Sequence, residues 1–303
     1  MNQNYHLAVL LLVEFGVCFS LSAQEQGFAN QRDFFVDSNL VCEKGTELSK
    51  TFLKASEPEF ARQLPDLFRW IARVEVRHRI SDKGFASNHG SGVILADGQV
   101  LTARHVLEQN VEDGDKEKLK ILLTMNDGRV FEATVQTRGE LDWALLKISS
   151  PLQDSQTGSV PDSKQTVHSP IKLALPKPSA TLVFMGYPAR LGLDAAGKAR
   201  SFSRGDPGKK IPVTRLDPCL VVGTGQSGSQ ASPGNLVLDP VAGFPPIGGM
   251  SGGPIFDLTG AVVGIQIGVT QTTADATGEV LVYRVDAVST SAMKGLKPAA
   301  TPK

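Results

Sequence analysis

Ser251 stands in the segment Gly248-Gly249-Met250-Ser251-Gly252-Gly253-Pro254, with glycines on both sides of it. Glycine tolerates positive φ and close approach of main chain, so such a segment suits a tight turn that exposes the serine hydroxyl. The same turn can aim backbone amides at a carbonyl, which makes Gly249 and Ser251 a candidate oxyanion hole and Ser251 a candidate nucleophile. A serine hydroxyl is inert until a base takes its proton, so this chemistry requires a histidine and a carboxylate elsewhere. His105 follows Thr102-Ala103-Arg104, and Asp142 stands in Leu141-Asp142-Trp143-Ala144-Leu145-Leu146-Lys147. Asp127, before Gly128, is a rival carboxylate, whereas His78, His89 and His168 lack a comparable setting and read as surface or supporting residues.

The elements that must position these groups are short strands. Ser91 to Leu95 and Gly98 to Val106 read as a hairpin about Asp97-Gly98, with its second strand ending at His105. Asp142 sits at the mouth of an apolar strand. Helical periodicity is scarce, and short Val/Ile/Leu runs alternate with Gly, Pro and Asp turns, so the chain is expected to be all-β. Here the chain resembles the trypsin-like (chymotrypsin-fold) serine peptidases. Their pattern of T-A-x-H, D-x-A-L-L and G-x-S-G-G-P matches Thr102 to His105, Asp142 to Leu146 and Gly249 to Pro254, in the family's order of His, Asp, Ser. The similarity spans roughly Arg69 to Ser289.

The resemblance implies two antiparallel six-stranded β-barrels with the active site in the cleft between them. Barrel one, 69–150, would supply His105 and Asp142; barrel two, 171–290, would supply Ser251; 151–170 would link them. Ser251 would attack the scissile carbonyl while His105 takes its proton and returns it to the leaving amine. Asp142 would hold the imidazole tautomer. The Gly249 and Ser251 amides would stabilise the oxyanion, typically by about 3 kcal/mol per donor. Met250 stands where zymogen-activated members carry an aspartate that pairs with a newly cut amino terminus, so that activation route is not expected. Val183 to Pro188 and Tyr283 to Val288 look closer to bacterial glutamyl-endopeptidase and HtrA-like domains. Pro245 and Gln266 stand at positions that set substrate preference in these families. Neither supplies a charge, which points to a small or medium uncharged side chain. Arg104 is expected to face solvent.

Residues 1–23 read as a signal peptide, with apolar runs on either side of Glu14 and cleavage after Ala23, which implies a secreted or periplasmic protein without stable membrane insertion. Residues 24–68 form an N-terminal extension, either a propeptide or, as preferred, a strap on the domain; a short helix within Glu57 to Trp70 would break near Pro65. Cys42 and Cys219 could pair in an exported protein. Residues 291–303 are a tail, and no PDZ domain is expected after Tyr283. Ala195 to Lys210 and Ser227 to Pro233 read as loops, and no internal repeat is evident. The 31 basic and 31 acidic residues balance, which gives no field for nucleic acid. No Cys–His spacing suggests zinc, and neither metal nor cofactor is expected. The substrates would be proteins or peptides. A non-catalytic binding module of the same fold and a serine esterase are the alternative readings.

Overall fold

The computed structural model describes residues 31–81, 84–96, 98–108, 120–151, 169–188, 218–227, 235–242, 248–273 and 280–296. The leader, residues 152–168, the expected loops at 195–210 and 228–233, and Pro245 lie outside the described residues. The first closed barrel comprises β1 (Ile71–Ser81), β2 (Gly84–Ile94), β3 (Gln99–Thr102), β4 (Lys120–Met125), β5 (Val130–Arg138) and β6 (Ala144–Pro151). The second comprises β7 (Thr181–Gly186), β8 (Cys219–Ser227), β9 (Asn235–Ala242), β10 (Pro254–Asp257), β11 (Val262–Thr273) and β12 (Val280–Ser289). The rings run β1-β2-β3-β6-β5-β4 and β10-β11-β12-β9-β8-β7, the same order once counting in the second starts at β7. This is the chymotrypsin-type pair of barrels.

Alternation along β1 shows how the first ring closes. Ala72, Val74 and Val76 pair across to Gly92, Gly90 and Asn88 on β2, and to Met125, Leu123 and Ile121 on β4. Strand side chains alternate between faces, so this apolar set shares the interior with Val100, Leu146 and Phe131. The other face of β1 and β2 carries Arg73, Glu75 and Ser91, outside the barrel yet buried. Ser91 reaches across to Tyr187 and Gly249 of the second barrel. Between the barrels, the Ala96 amide donates to the Ile171 carbonyl, and residues 172–174 run beside Val262 of β11.

Two helices precede the barrels: α1 (Gln31–Ser56) and α2 (Pro58–Phe68). Helix α1 departs from the expected scarcity of helix. Its contact stripe is Cys42, Thr46, Ser49 and Leu53, spaced as one helical face. The Thr46 hydroxyl accepts from the Leu220 amide at 3.2 Å, and Ser49 donates to the Leu220 carbonyl at 3.0 Å. Ladder pairing of β9 with β8 reaches only to Val222, so the helix hydroxyls satisfy backbone groups that the sheet leaves open. A Cys42–Cys219 disulfide closes the same junction. Helix α2 continues through Pro65 rather than breaking there. Its lost bond is a single one, to the carbonyl four residues back, and burial of Phe60, Leu64, Leu67 and Phe68 holds the element together. The extension is therefore packed on the domain.

Reduction of the Cys42–Cys219 disulfide is expected to lower stability by about 2–5 kcal/mol, seen as a shift in the denaturant midpoint. Identical midpoints with and without reductant would show that α1 is held by its noncovalent contacts alone.

Candidate active site

The site forms where the turn 248–254 meets β2 and β3. Gly249 and Gly252 adopt φ of 93° and 84°, backbone that other residues enter only with strain. A Cβ on Gly252 would collide with the Ser91 carbonyl and lie 2.5 Å from the Thr102 hydroxyl and 2.6 Å from the Ala103 nitrogen. The residue after Ser251 thus rests on the two residues that lead to His105. Gly90 makes a second such contact: a Cβ there would lie 2.6 Å from the Val106 methyls and 3.0 Å from the Ser251 carbonyl oxygen.

Hydrogen bonds fix the turn from both barrels. The Ser91 amide donates to the Ser251 carbonyl at 2.7 Å, and the Ser91 hydroxyl donates to the Gly249 carbonyl at 3.1 Å while accepting from the Tyr187 amide at 2.8 Å. Thr102 donates its hydroxyl to the Ser91 carbonyl at 2.7 Å. From β11, Gln266 accepts from the Gly252 amide at 2.7 Å and donates its own amide to Gly253 at 2.9 Å. Ser251 itself is half-buried.

Strand β3 ends at Thr102, and His105 opens a single helical turn, α3 (His105–Glu108), instead of ending the strand as expected. The cause is Asp142. One carboxylate oxygen accepts the His105 amide at 2.8 Å, satisfying from a distant segment the first donor of the turn. The other accepts from the His105 ring at Nδ1, 2.6 Å away. An ionised carboxylate only accepts, so this contact puts the ring proton on Nδ1 and leaves Nε2 able to take one. Burial opposes ionisation of Asp142, but the hydrogen bonds from the His105 side chain and backbone, with the nearby His105 and Arg104 charges, outweigh it. Its pKa therefore lies below the ordinary 3.8.

The rival Asp127 lies in the exposed β4–β5 turn and pairs with Arg129 at 2.7 Å. His89 lies 2.9 Å from the buried Arg73 guanidinium, and His168 lies outside the described residues. Gln266 is buried; its amide nitrogen donates to Gly268 at 3.0 Å and its side-chain oxygen has no hydrogen-bond partner among the described residues. Pro245, the other residue expected to line the substrate pocket, lies outside the described residues. Arg104 corrects the sequence reading, since it turns along the Asp142 loop rather than out to solvent, donating to the carbonyls of Gly139 and Glu140. Ser91 reads from the sequence only as the start of a hairpin strand; its bridge to Tyr187 and Gly249 leaves no local signal, because Ser87, Asn88 and His89 before it are polar too.

The paired barrels define a chymotrypsin-fold protein. The trypsin-like peptidase domain matches residues 90–265, more than half of the chain, and the chain belongs to that family of serine peptidases. The matched stretch opens at Gly90, the residue squeezed between Val106 and Ser251. No curated protein matches the sequence.

Gly252→Ala is expected to destabilise the fold by at least about 2 kcal/mol, because positive φ and two backbone collisions act together. A thermal or denaturant midpoint unchanged from wild type would contradict the close contact. Asp142 contributes stability above its unfolded-state pKa and loses it as pH falls through the lower folded-state value. The stability gap between wild type and Asp142→Asn should accordingly shrink in acid below about pH 4, as read by denaturant titrations across pH.

Proposed function

We propose that this chain is a serine endopeptidase that cleaves protein or peptide substrates through an acyl-enzyme formed on Ser251. The observation that carries the reading is the grip of Asp142 on both N–H groups of His105. With Nδ1 protonated and held, Nε2 is the group that takes the Ser251 hydroxyl proton as the oxygen attacks the scissile carbonyl. The amides of Gly249 and Ser251 stabilise the oxyanion of the tetrahedral intermediate. His105 then gives its proton to the leaving amine, and water repeats the sequence on the ester. Asp142 stays ionised throughout and stabilises the imidazolium. No metal or cofactor enters this scheme.

The likeness to glutamyl-endopeptidase and HtrA-like domains concerns maturation and specificity. Met250 is packed with Leu182, Phe184 and Ile255 in the core of the second barrel. A buried thioether there supports a site that needs no ion pair to a freshly cut amino terminus. Gln266 offers a neutral amide rather than a charge, in keeping with an uncharged substrate side chain. Export to a secreted or periplasmic setting is supported by the apolar leader and by a disulfide, which persists in oxidising compartments.

Fluorophosphonate labelling of the purified protein tests the assignment. Wild type should label at Ser251, and Ser251→Ala and His105→Ala should not. Peptide hydrolysis by either variant should fall by about 10⁴-fold or more in kcat. A wild type that neither labels nor cleaves peptides would overturn the reading in favour of a binding module; labelling with ester cleavage alone would favour an esterase.

A further inference from the structure

Arg104 adjoins His105 in sequence, and one nitrogen of its guanidinium bonds the loop that carries Asp142. Nη1 donates to the Gly139 carbonyl at 2.9 Å and to the Glu140 carbonyl at 3.2 Å. Nε stands 3.3 Å from one Glu108 oxygen, and the other Glu108 oxygen stands 3.8 Å from Arg138 at the end of β5. The same loop is braced from within. The Gly139 amide donates to the Trp143 carbonyl at 2.9 Å, the Trp143 amide donates to Leu141 at 2.7 Å, and the buried Trp143 ring occupies the space that a Gly139 side chain would need.

Two neighbouring residues therefore hold two neighbouring parts of one loop. Arg104 bonds the carbonyls of 139 and 140, and His105 bonds the carboxylate of 142 through both its amide and its ring. We propose that Arg104 is a positioning residue for the His105–Asp142 pair, its guanidinium fixing the loop at the distance where carboxylate and imidazole form a short hydrogen bond. The proposal rests on the reading of His105 as the base. Arginine suits the role because its planar guanidinium sets Nη1 against both carbonyls while Nε lies beside the Glu108 carboxylate, whereas lysine keeps the charge on one flexible point. Without the clamp the loop can drift, and a displacement near 1 Å costs about 10²-fold in rate.

The test compares wild type, Arg104→Met and Arg104→Lys in three readouts: kcat and KM on a peptide substrate, thermal midpoint, and the low-field proton NMR signal of the His105 Nδ1–H in the resting protein. Arg104→Met should lower kcat about 10- to 100-fold with KM within about twofold, and should broaden or remove the low-field signal while the protein stays folded. Arg104→Lys should recover only part of both. Full kcat with an unchanged signal in Arg104→Met would overturn the proposal. So would a fall in kcat that follows the unfolded fraction while the signal of the folded fraction is unchanged. Should Arg104→Met not fold, Arg104→Lys carries the same comparison. Should wild type prove inactive, the peptidase reading fails, while the NMR comparison still decides whether Arg104 positions the pair.

Discussion

Main chain lies against main chain where the two barrels meet, and the rest of the site depends on that contact. Gly252 sits over the Ser91 carbonyl and the Thr102–Ala103 peptide of the first barrel, and within the second barrel Gly253 lies as close to the Met185 carbonyl of β7. Neither position has room for a side chain. Once the backbones are in contact, the Ser91 amide reaches the Ser251 carbonyl, and Thr102 ties its hydroxyl to Ser91. These bonds bring the serine turn of the second barrel to the strand that leads into His105. A site shared between two barrels needs such a junction, because each barrel is closed on itself and offers no free sheet edge to the other.

Polar groups are buried throughout this junction, and those that hold the serine turn are satisfied by geometry rather than by solvent. Asp142 is partly desolvated, which by itself would favour the neutral acid; three donors or charges nearby reverse that preference. The Ser91 hydroxyl both donates and accepts across the inter-barrel gap. On β8, Thr46 and Ser49 do the same for Leu220, where β9 has stopped pairing with β8. A buried polar group left unpaired costs about 1–3 kcal/mol, so these contacts select one arrangement of the barrels, helix and loops over looser ones.

The motifs were legible because each residue type in them has a local steric or chemical reason. Gly252 is glycine because it rests on the Ala103 nitrogen at positive φ, and Thr102 needs its hydroxyl for Ser91. The all-β class was legible in the short apolar runs between turns, whereas the pair of barrels followed from the family resemblance. The alternation of Ala72, Val74 and Val76 against Arg73, Glu75 and Arg77 is how β1 meets that expectation. Helix α1 was not legible, because its contact stripe of Cys42, Thr46, Ser49 and Leu53 is small and polar, and its partners lie on the distant strand β8. Arg104 was read as a surface charge because its carbonyl partners, 35 and 36 residues away, leave no trace in local pattern. The end of β3 at Thr102 was hidden for the same reason, since the cap that starts α3 belongs to Asp142. The two barrels share one strand order without a sequence repeat, as expected where alternation and turns, rather than particular side chains, direct closure.

Native-state hydrogen exchange at the amides of Ser91 and Gly252 tests the junction most directly, since one is bonded to Ser251 and the other to Gln266. If the inter-barrel contact is part of the fold itself, both amides should exchange only through global unfolding, with the same free energy as the core amides of β1. Exchange of the Ser91 and Gly252 amides by local opening, while β1 stays protected, would show that the serine turn is a loosely docked loop and contradict the account.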